Sequence, residues 1–484
     1  MVMQRIAFLA MLVAVWLICF PHTLLHIEEN SYWIDAPDMT SIIYQWPAEW
    51  SAIFSCYLGQ FFQYRFWGAL ILGILPLLTL LAADVILWRL FRQRALLWLS
   101  FIPATWTALC QTGDSTLEPS IRIAVLMWMV AIIVLIVTFR SSLYSIKKPF
   151  RWMYRANALL PYLGIMTVAG ILITDTSRRS TEFTNHIEHL TAEHQWDRVY
   201  ELTYPKRYDL DDNLMSYSLL ALSEKGLLPQ QLFSYPVRGL ENVFTSAENF
   251  RFNSFFCHEL GLPNEAIRYA FEEGQYMPAG ASFGTLRRMV DWILEKGDDP
   301  ELANYYLNLL SHSSCHKQFI AARRIYMVQN QPKPIKHKPE YVGSPSFLHE
   351  AAVVFDRDPY NERARDYLLC GMLLTGNIDA FFTLFENIYV QTEDQPIPTH
   401  YMEALVELAA SHPQIATSYT LPANMQQRYN NFCTLLQQPR GNKRALEQFK
   451  DTYWAYQLRQ SGNHAQQAEA ALITAPVIGA EFGY

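Results

Sequence analysis

Ile121-Arg-Ile-Ala-Val-Leu-Met-Trp-Met-Val-Ala-Ile-Ile-Val-Leu-Ile-Val-Thr-Phe139 is an almost purely aliphatic run with one Trp and one charge, Arg122 at its edge. A bilayer's hydrocarbon core is about 30 Å thick, and a helix crosses it in roughly 20 mostly apolar residues. The run therefore reads as a membrane span. Working outward, four more segments of the 484-residue chain read the same way. They are Ile6–Leu25, Phe66–Trp88 (with Asp84 near its far end), Ala95–Cys110 (a little short) and Ala156–Thr174. The first resembles a signal peptide, with Arg5 before an apolar run. However, Phe20-Pro21-His22 follows it where a small-x-small cleavage site would stand, so an uncleaved span is expected.

The charges around these segments alternate. Arg89, Arg92 and Arg94 separate spans two and three, and Arg140, Lys147, Lys148, Arg151 and Arg155 separate spans four and five. The loop after span one holds Glu28, Glu29, Asp35, Asp38 and Glu49 and no Lys or Arg before Arg65, and the loop after span three holds Asp114 and Glu118. Positive loops stay in the cytoplasm. The expectation is an inner-membrane protein crossing five times, with its N-terminus cytoplasmic and its C-terminal domain periplasmic. Arg178 and Arg179, just past span five, are the discordant pair. Tyr32, Trp33, Tyr44, Trp46 and Trp50 suit the headgroup layer. Residues 51–62 are apolar but too short to cross, so they read as an interfacial helix.

Beyond residue 175 the composition changes. Residues 1–175 carry 11 Lys+Arg and 9 Asp+Glu, whereas 176–484 carry 27 and 36, giving +2 and −9 and the overall −7. This balance argues against a nucleic-acid partner. The expected organisation is a transmembrane bundle at 1–175 and a helical repeat domain at 176–484. From Glu182 onward the periodicity is helical with almost no strand-like alternation. Helices break at Gly and resume. The sharpest case is His258-Glu-Leu-Gly-Leu-Pro-Asn-Glu-Ala266-Ile-Arg-Tyr-Ala270, where Gly261 permits a left-handed cap and two alanines permit close packing. That spacing is the tetratricopeptide pattern near its inter-helix turn, and weaker copies occur at Gly226, Gly297, Gly376 and Gly462. The fold expected is all-α: about five transmembrane helices followed by a tetratricopeptide-like α-solenoid. Helix pairs are expected near 182–226, 243–274, 282–311, 361–391, 398–437 and 442–474. Pro332, Pro334, Pro339 and Pro345 make 329–346 a connector.

The whole chain resembles a family of uncharacterised multi-pass membrane proteins of Bacteroidota, known only as a domain of unknown function. The matching stretches are Leu24-Leu-His26 with Glu28, Leu58-Gly-Gln-Phe-Phe62, Asn213-Leu-Met-Ser-Tyr-Ser-Leu-Leu-Ala-Leu-Ser-Glu-Lys-Gly226 with Phe233, and Leu260-Gly-Leu-Pro-Asn-Glu-Ala266. The resemblance implies an envelope membrane protein with a tetratricopeptide-like tail. It supplies no catalytic residue, substrate or cofactor.

Candidates for chemistry are few. Glu28, Glu29, Asp35 and Asp38, with His22 and His26 nearby, lie where enzymes of lipid-linked sugars often place an acid, and a carboxylate there serves as general base or metal ligand. The simpler reading is that they solvate an outer loop. Asp84 reads as an interfacial acid beside Arg89 or Trp88, and Pro76, Pro103 and Pro161 as kinks. His312, Cys315 and His316 share a turn, but a zinc site needs about four ligands and no second pair is found, so no metal is expected. Cys257, Cys315, Cys370 and Cys433 read as buried small hydrophobes. Phosphate-loop, nucleophile-elbow and metalloprotease motifs are lacking. The function expected is a membrane-anchored extracytoplasmic scaffold for a protein or peptide of the cell envelope, in contact with membrane lipids. The alternative is an enzyme or transfer factor for lipid-linked sugars using the first-loop carboxylates. A transporter ranks last.

Overall fold

The computed structural model describes residues 2–33, 50–111, 117–139, 151–240, 249–277, 279–297, 299–313, 315–330, 347–389, 397–437 and 446–460. Among them every regular element is helical. In chain order these are α1 (Val2–Cys19), α2 (Pro21–Glu29), α3 (Trp50–Gly59), α4 (Arg65–Phe91), α5 (Phe101–Leu109), α6 (Leu117–Val137), α7 (Arg151–Thr174), α8 (Thr176–Ala192), α9 (Trp196–Thr203), α10 (Asp212–Glu224), α11 (Leu228–Gln231), α12 (Phe250–Leu260), α13 (Pro263–Gln275), α14 (Phe283–Lys296), α15 (Pro300–Ser311), α16 (Lys317–Gln329), α17 (Phe347–Arg357), α18 (Glu362–Leu374), α19 (Ile378–Ile388), α20 (Thr399–Ser411), α21 (Pro413–Ser418) and α22 (Ala423–Leu436). Short 3₁₀ segments link several of them.

By compactness the chain forms two units, Met1–His189 with Ala266–Lys338 and Leu190–Glu265 with Pro339–Tyr484. Composition changes at 175, whereas compactness assigns 266–338 to the same unit as the apolar helices.

In the first unit, four helices are long and apolar enough to cross a membrane: Val2–Cys19, Arg65–Phe91, Leu117–Val137 and Met153–Thr174. The remaining expected segment is divided. Arg94–Ser100 is a 3₁₀-helix and α5 follows it. Pro103 is the reason, because its ring excludes the carbonyl of Leu99 four residues back and it has no N–H to donate. Span one also ends earlier than its apolar run, at Cys19, because Pro21 opens α2.

Polar contacts fix the direction of each segment. Arg5 Nε donates to Asp84 Oδ2 at 2.8 Å, placing the start of α1 beside the end of α4. Asp84 is thus paired with Arg5, while Arg89 lies over the Trp88 ring. Gln4 Nε2 donates to the carbonyls of Asn157 (3.0 Å) and Ala158 (3.2 Å), so α1 and α7 start together. At the opposite end, Gln111 Nε2 donates to Leu72 O at 2.9 Å. Arg178 donates to Gln111 O and Leu109 O at 2.5 and 2.6 Å. The Arg94–Leu109 segment therefore runs antiparallel to α4 and parallel to α7. Arg178 is buried as a cation on the carbonyl end of α5, where a helix terminus is negative. Its partner Arg179 donates to Ile173 O. The pair discordant with the loop charges therefore has local structural work.

Close approach is bought with small residues. A Cβ on Gly73 would lie 2.9 Å from Leu9 Cδ1, so Gly73 lets α1 settle on α4. Gly59 of α3 meets Ser31 so closely that a Cβ would lie 2.5 Å from Ser31 Cβ. Tyr32, expected in the headgroup layer, is instead buried with Ala52 and Cys56 against Phe283, Leu286, Val290, Leu307, Leu310 and Ile320. Tyr44 and Trp46 lie outside the described residues.

In the second unit, α10 is the hub. Ten consecutive residues, Leu214 to Ser223, are buried, as expected for a helix surrounded on all sides. It packs against α9, α11, α12 and α18. The Asn213–Gly226 stretch noted in the sequence is this central helix. Gly226 and Gly376 adopt positive φ (65° and 73°) just past α10 and α18, as the sequence led us to expect of helix-ending glycines. Phe233 is buried among the rings of His400, Tyr453 and Tyr456. The 329–346 connector lies largely outside the described residues.

Gly59→Ala is expected to destabilise the first unit by about 1–3 kcal/mol, because Ser31 cannot retreat without disturbing α2. A thermal melt in detergent checks this, and an unchanged midpoint would refute it.

Candidate functional site

Two sites emerge, one in each unit. The first is built around Glu28. Helix α2 continues outward from α1 past the Phe20-Pro21 break, and Glu182 of α8 caps its start. Glu182 Oε1 accepts from the His22 backbone N–H (2.9 Å) and contacts His22 Nδ1 (2.8 Å). Its Oε2 accepts from the Thr23 N–H (2.8 Å) and hydroxyl (2.7 Å). A carboxylate on free helix N–H groups is favourable. Burial would raise the Glu182 carboxyl, but these bonds outweigh it and hold the group below its ordinary range. The His22 ring stacks on His186 at 4.0 Å, and His26 lies 3.8 Å from Glu188.

One residue before the end of α2, Glu28 points into protein and is 2% exposed. Arg287 of α14 clamps it with two parallel bonds, Nη1 to Oε1 and Nη2 to Oε2, both 2.7 Å. This is the fork geometry that makes Arg–carboxylate pairs strong. His316 Nε2 lies 2.8 Å from Oε1, and its Nδ1 lies 2.9 Å from Ser313 Oγ. The carboxylate can only accept, so Nε2 carries a proton and donates it to Glu28. Burial pushes the Glu28 carboxyl up, but the Arg287 charge and the His316 and Arg287 hydrogen bonds outweigh it and hold the group ionised. Phe283 N–H also donates to Ser31 O at 2.8 Å. A Cβ on Gly284 would sit 3.0 Å from Glu29 Cβ, so α14 lies directly on the chain after α2.

Of the acids singled out in the sequence, Glu28 forms this lock, Glu29 lies beside it against Gly284, and Asp35 and Asp38 lie outside the described residues. A general base must exchange a proton with substrate, whereas both Glu28 oxygens are committed to protein donors. His312 turns to Asn308 O (2.9 Å) while His316 turns to Glu28, so the two do not converge with Cys315. Among the described residues no group of three or more His, Cys, Asp or Glu side chains has metal-binding geometry. All seven cysteines are free, with Cys56, Cys257 and Cys370 buried.

The second site is a cleft of about 780 Å³ in the second unit, which sequence reasoning missed. Its wall is the end of α10 with its glycine turn (Glu224, Lys225, Gly226) and the start of α18 (Arg363, Arg365, Asp366). Tyr360, 92% exposed, and Tyr389 complete it. Asn361 caps α18 through Ala364 N–H (3.0 Å) and so sets the two arginines in the first turn. Arg363 Nη1 contacts both Glu224 oxygens at 2.8 Å. Arg365 Nε donates to Asp366 Oδ1 at 3.1 Å and its guanidinium lies over Tyr389. Burial pushes the Asp366 carboxyl up against the opposing pull of Arg365. Behind the wall, Glu259 Oε1 is 3.0 Å from both His194 Nδ1 and His258 Nδ1. Burial raises Glu259, but the two histidines dominate and bring it to about 2.

The sequence profile of the family of unknown function DUF6057 matches residues 1–173 and 114–459. The chain belongs to that family. No curated protein and no solved structure matches it. The lock and the cleft both lie within the matched DUF6057 residues, and the family description names no activity.

Glu28→Ala is expected to destabilise the first unit by roughly 3–5 kcal/mol at neutral pH, since it strands Arg287. Glu28→Gln should approach wild type as pH falls below the ordinary carboxylate range. Stability from a depressed carboxyl is present above its unfolded pKa and lost as pH falls through the folded one. Denaturation across pH 3–8 decides this, and a pH-independent gap would refute it. By the same sign, Glu259 contributes about 3 kcal/mol above its ordinary 4.5 that disappears as pH falls toward 2. Hydrogen exchange of α12 in wild type and Glu259→Gln measures it, and equal protection in both at pH 7 would refute it.

Proposed function

We propose that this protein is a membrane-anchored helical scaffold whose second unit holds a protein or peptide segment of the cell envelope in the Tyr360–Arg363–Arg365 cleft. The observation that carries the reading is the chemistry of that cleft. Tyrosine and arginine dominate binding hot spots, because they combine large contact area with directional polar groups. Tyr360 stands almost fully in solvent at the rim. A volume of about 780 Å³ is in the range of ligand-sized sites.

The anchoring half of the proposal is a five-crossing topology, with the N-terminus in the cytoplasm and the C-terminal domain in the periplasm. Several features support it. Trp67 and Trp88, both about half exposed, bracket α4. The 21 residue steps from one to the other span about 32 Å, the separation of two headgroup layers. The divided segment also has reach. Seven residues of 3₁₀-helix at about 2.0 Å each and nine of α-helix at about 1.5 Å give about 28 Å. Its antiparallel course along α4 is what a fifth pass would require. The helix pairs α14–α15 and α18–α19 support a tetratricopeptide-like tail. In this reading Glu28 and its partners are structural, and the lipid-linked sugar alternative has no carboxylate left free at Glu28.

A photo-crosslinking amino acid at Tyr360 in intact membranes is expected to give a discrete adduct. The same group at Tyr208, half-exposed in the same unit but outside the cleft, should give none. Equal smears from both positions would sink the proposal. A reporter at the C-terminus is expected to be active only on the periplasmic side, and cytoplasmic activity would overturn the five-crossing topology.

A further inference from the structure

One side of α16 exposes apolar residues along a basic edge, and part of it faces α14 across an open groove lined by Asp291, Leu294 and Glu295 with Ala322, Ile325, Tyr326 and Gln329. Of its 13 residues only Ile320 is fully buried. Val328 (79% exposed), Ile325 and Tyr326 stand in solvent with Ala321 and Ala322. At 100° per residue these five share one broad face with the neutral Gln318 and Gln329, and Lys317 and Arg324 lie along its edge. Met327 and Ile320 point the opposite way, toward the cluster containing Ala52 and Cys56 of α3. Arg323 is spent on Asp291, bonding both its oxygens at 2.6 and 2.9 Å. Arg324 donates to the uncharged Asn308 Oδ1 (2.8 Å) and so keeps its net charge, as does Lys317.

Two further observations narrow what covers this face. The first is charge. From Leu302 to Pro339 the chain holds six Lys+Arg and no Asp or Glu, although residues 176–484 as a whole carry nine more acids than bases. A basic segment with exposed apolar side chains, in an otherwise acidic chain, is suited to an anionic surface. The second is position. Helix α16 belongs to the same compact unit as the apolar spans. Its Ile320 joins the side-chain cluster of α3, the short apolar helix that feeds directly into α4 and exposes Phe54 and Tyr57.

We propose that the Val328–Ile325–Tyr326 face of α16 lies on the bilayer beside α3, with Lys317 and Arg324 on anionic lipid headgroups. The proposal rests on the membrane reading of the first unit and adds a second, peripheral contact to its spans.

The test uses the full chain in nanodiscs made from brominated lipids, with an environment-sensitive fluorescent amino acid placed at Val328 or, separately, at Ile133 in α6. Ile133 is exposed on a span and reports the membrane reading itself. Quenching at both positions is expected. At 328 it should be at least twofold stronger with about 30% phosphatidylglycerol than with phosphatidylcholine alone, and weaker in 0.5 M salt, where screening is short-ranged. Lys317→Glu with Arg324→Glu should lower quenching at 328 and leave 133 unchanged. Loss of quenching at 133 would overturn the membrane reading. Quenching at 133 with none at 328 would overturn this proposal alone. A blue-shifted but unquenched signal at 328 would mean that protein, the chain's own or a second copy, covers the face, and would also overturn it. Quenching at 328 indifferent to lipid charge, salt and the double variant would overturn the assignment to anionic lipid.

Discussion

An ionised carboxylate buried as fully as Glu28 is held in protein only if its charge is answered on the spot. Arg287 answers it with two bonds and His316 with a third. The cost of failing to answer it is several kcal/mol, comparable to a large part of a domain's net stability. That penalty makes the geometry around residues 21–31 hard to vary. The N-terminal end of α2 is capped by Glu182, its flank carries Glu28, and Ser31 is pinned by Phe283 N–H and by the approach of Gly59. One short stretch of chain thereby joins α1, the α8 continuation of α7, the helix before α4, and helices α14 and α16. The first unit is compact across more than 300 residues of sequence because these contacts are mutually dependent.

The apolar bundle shows the same economy. Its polar contacts sit near its ends, Arg5 with Asp84 and Gln4 with α7 at one, Gln111 and Arg178 at the other. Between them lie aliphatic packing and the Thr107–Thr79 contact. Bonds at both ends fix direction and register, while the middle can be satisfied by any well-fitting hydrophobic surface. A charge that runs against the loop pattern, Arg178, is thereby accounted for by the carbonyls it closes.

Much of this was legible beforehand because it depends on local chemistry. The long apolar helices follow from runs of apolar residues, and the ends of α10 and α18 from glycines that tolerate positive φ. The resemblance carried by Asn213–Gly226 fell on the hub helix of the second unit, whose unbroken burial explains its apolar character. The partners of Glu28 were illegible for an equally physical reason. Arg287 and His316 lie 259 and 288 residues away, and no periodicity or spacing relates residues that far apart. His316 was noticed only for its neighbours in sequence, His312 and Cys315, from which its ring turns away. The cleft was hidden likewise, because its two walls come from segments more than 130 residues apart.

The sequence by itself determined an all-helical chain with an apolar front and a helix-rich, acidic rear, since hydrophobic length and helix-breaking residues act within a few turns. Tertiary structure alone decided that 266–338 fall in the same compact unit as the apolar helices, that Glu28 is a buried lock and not a free loop acid, and that the ends of α10 and α18 form a cleft. Those outcomes depend on which charges and faces meet across the chain. Their energy exists only once burial has removed the water that would otherwise satisfy each group separately.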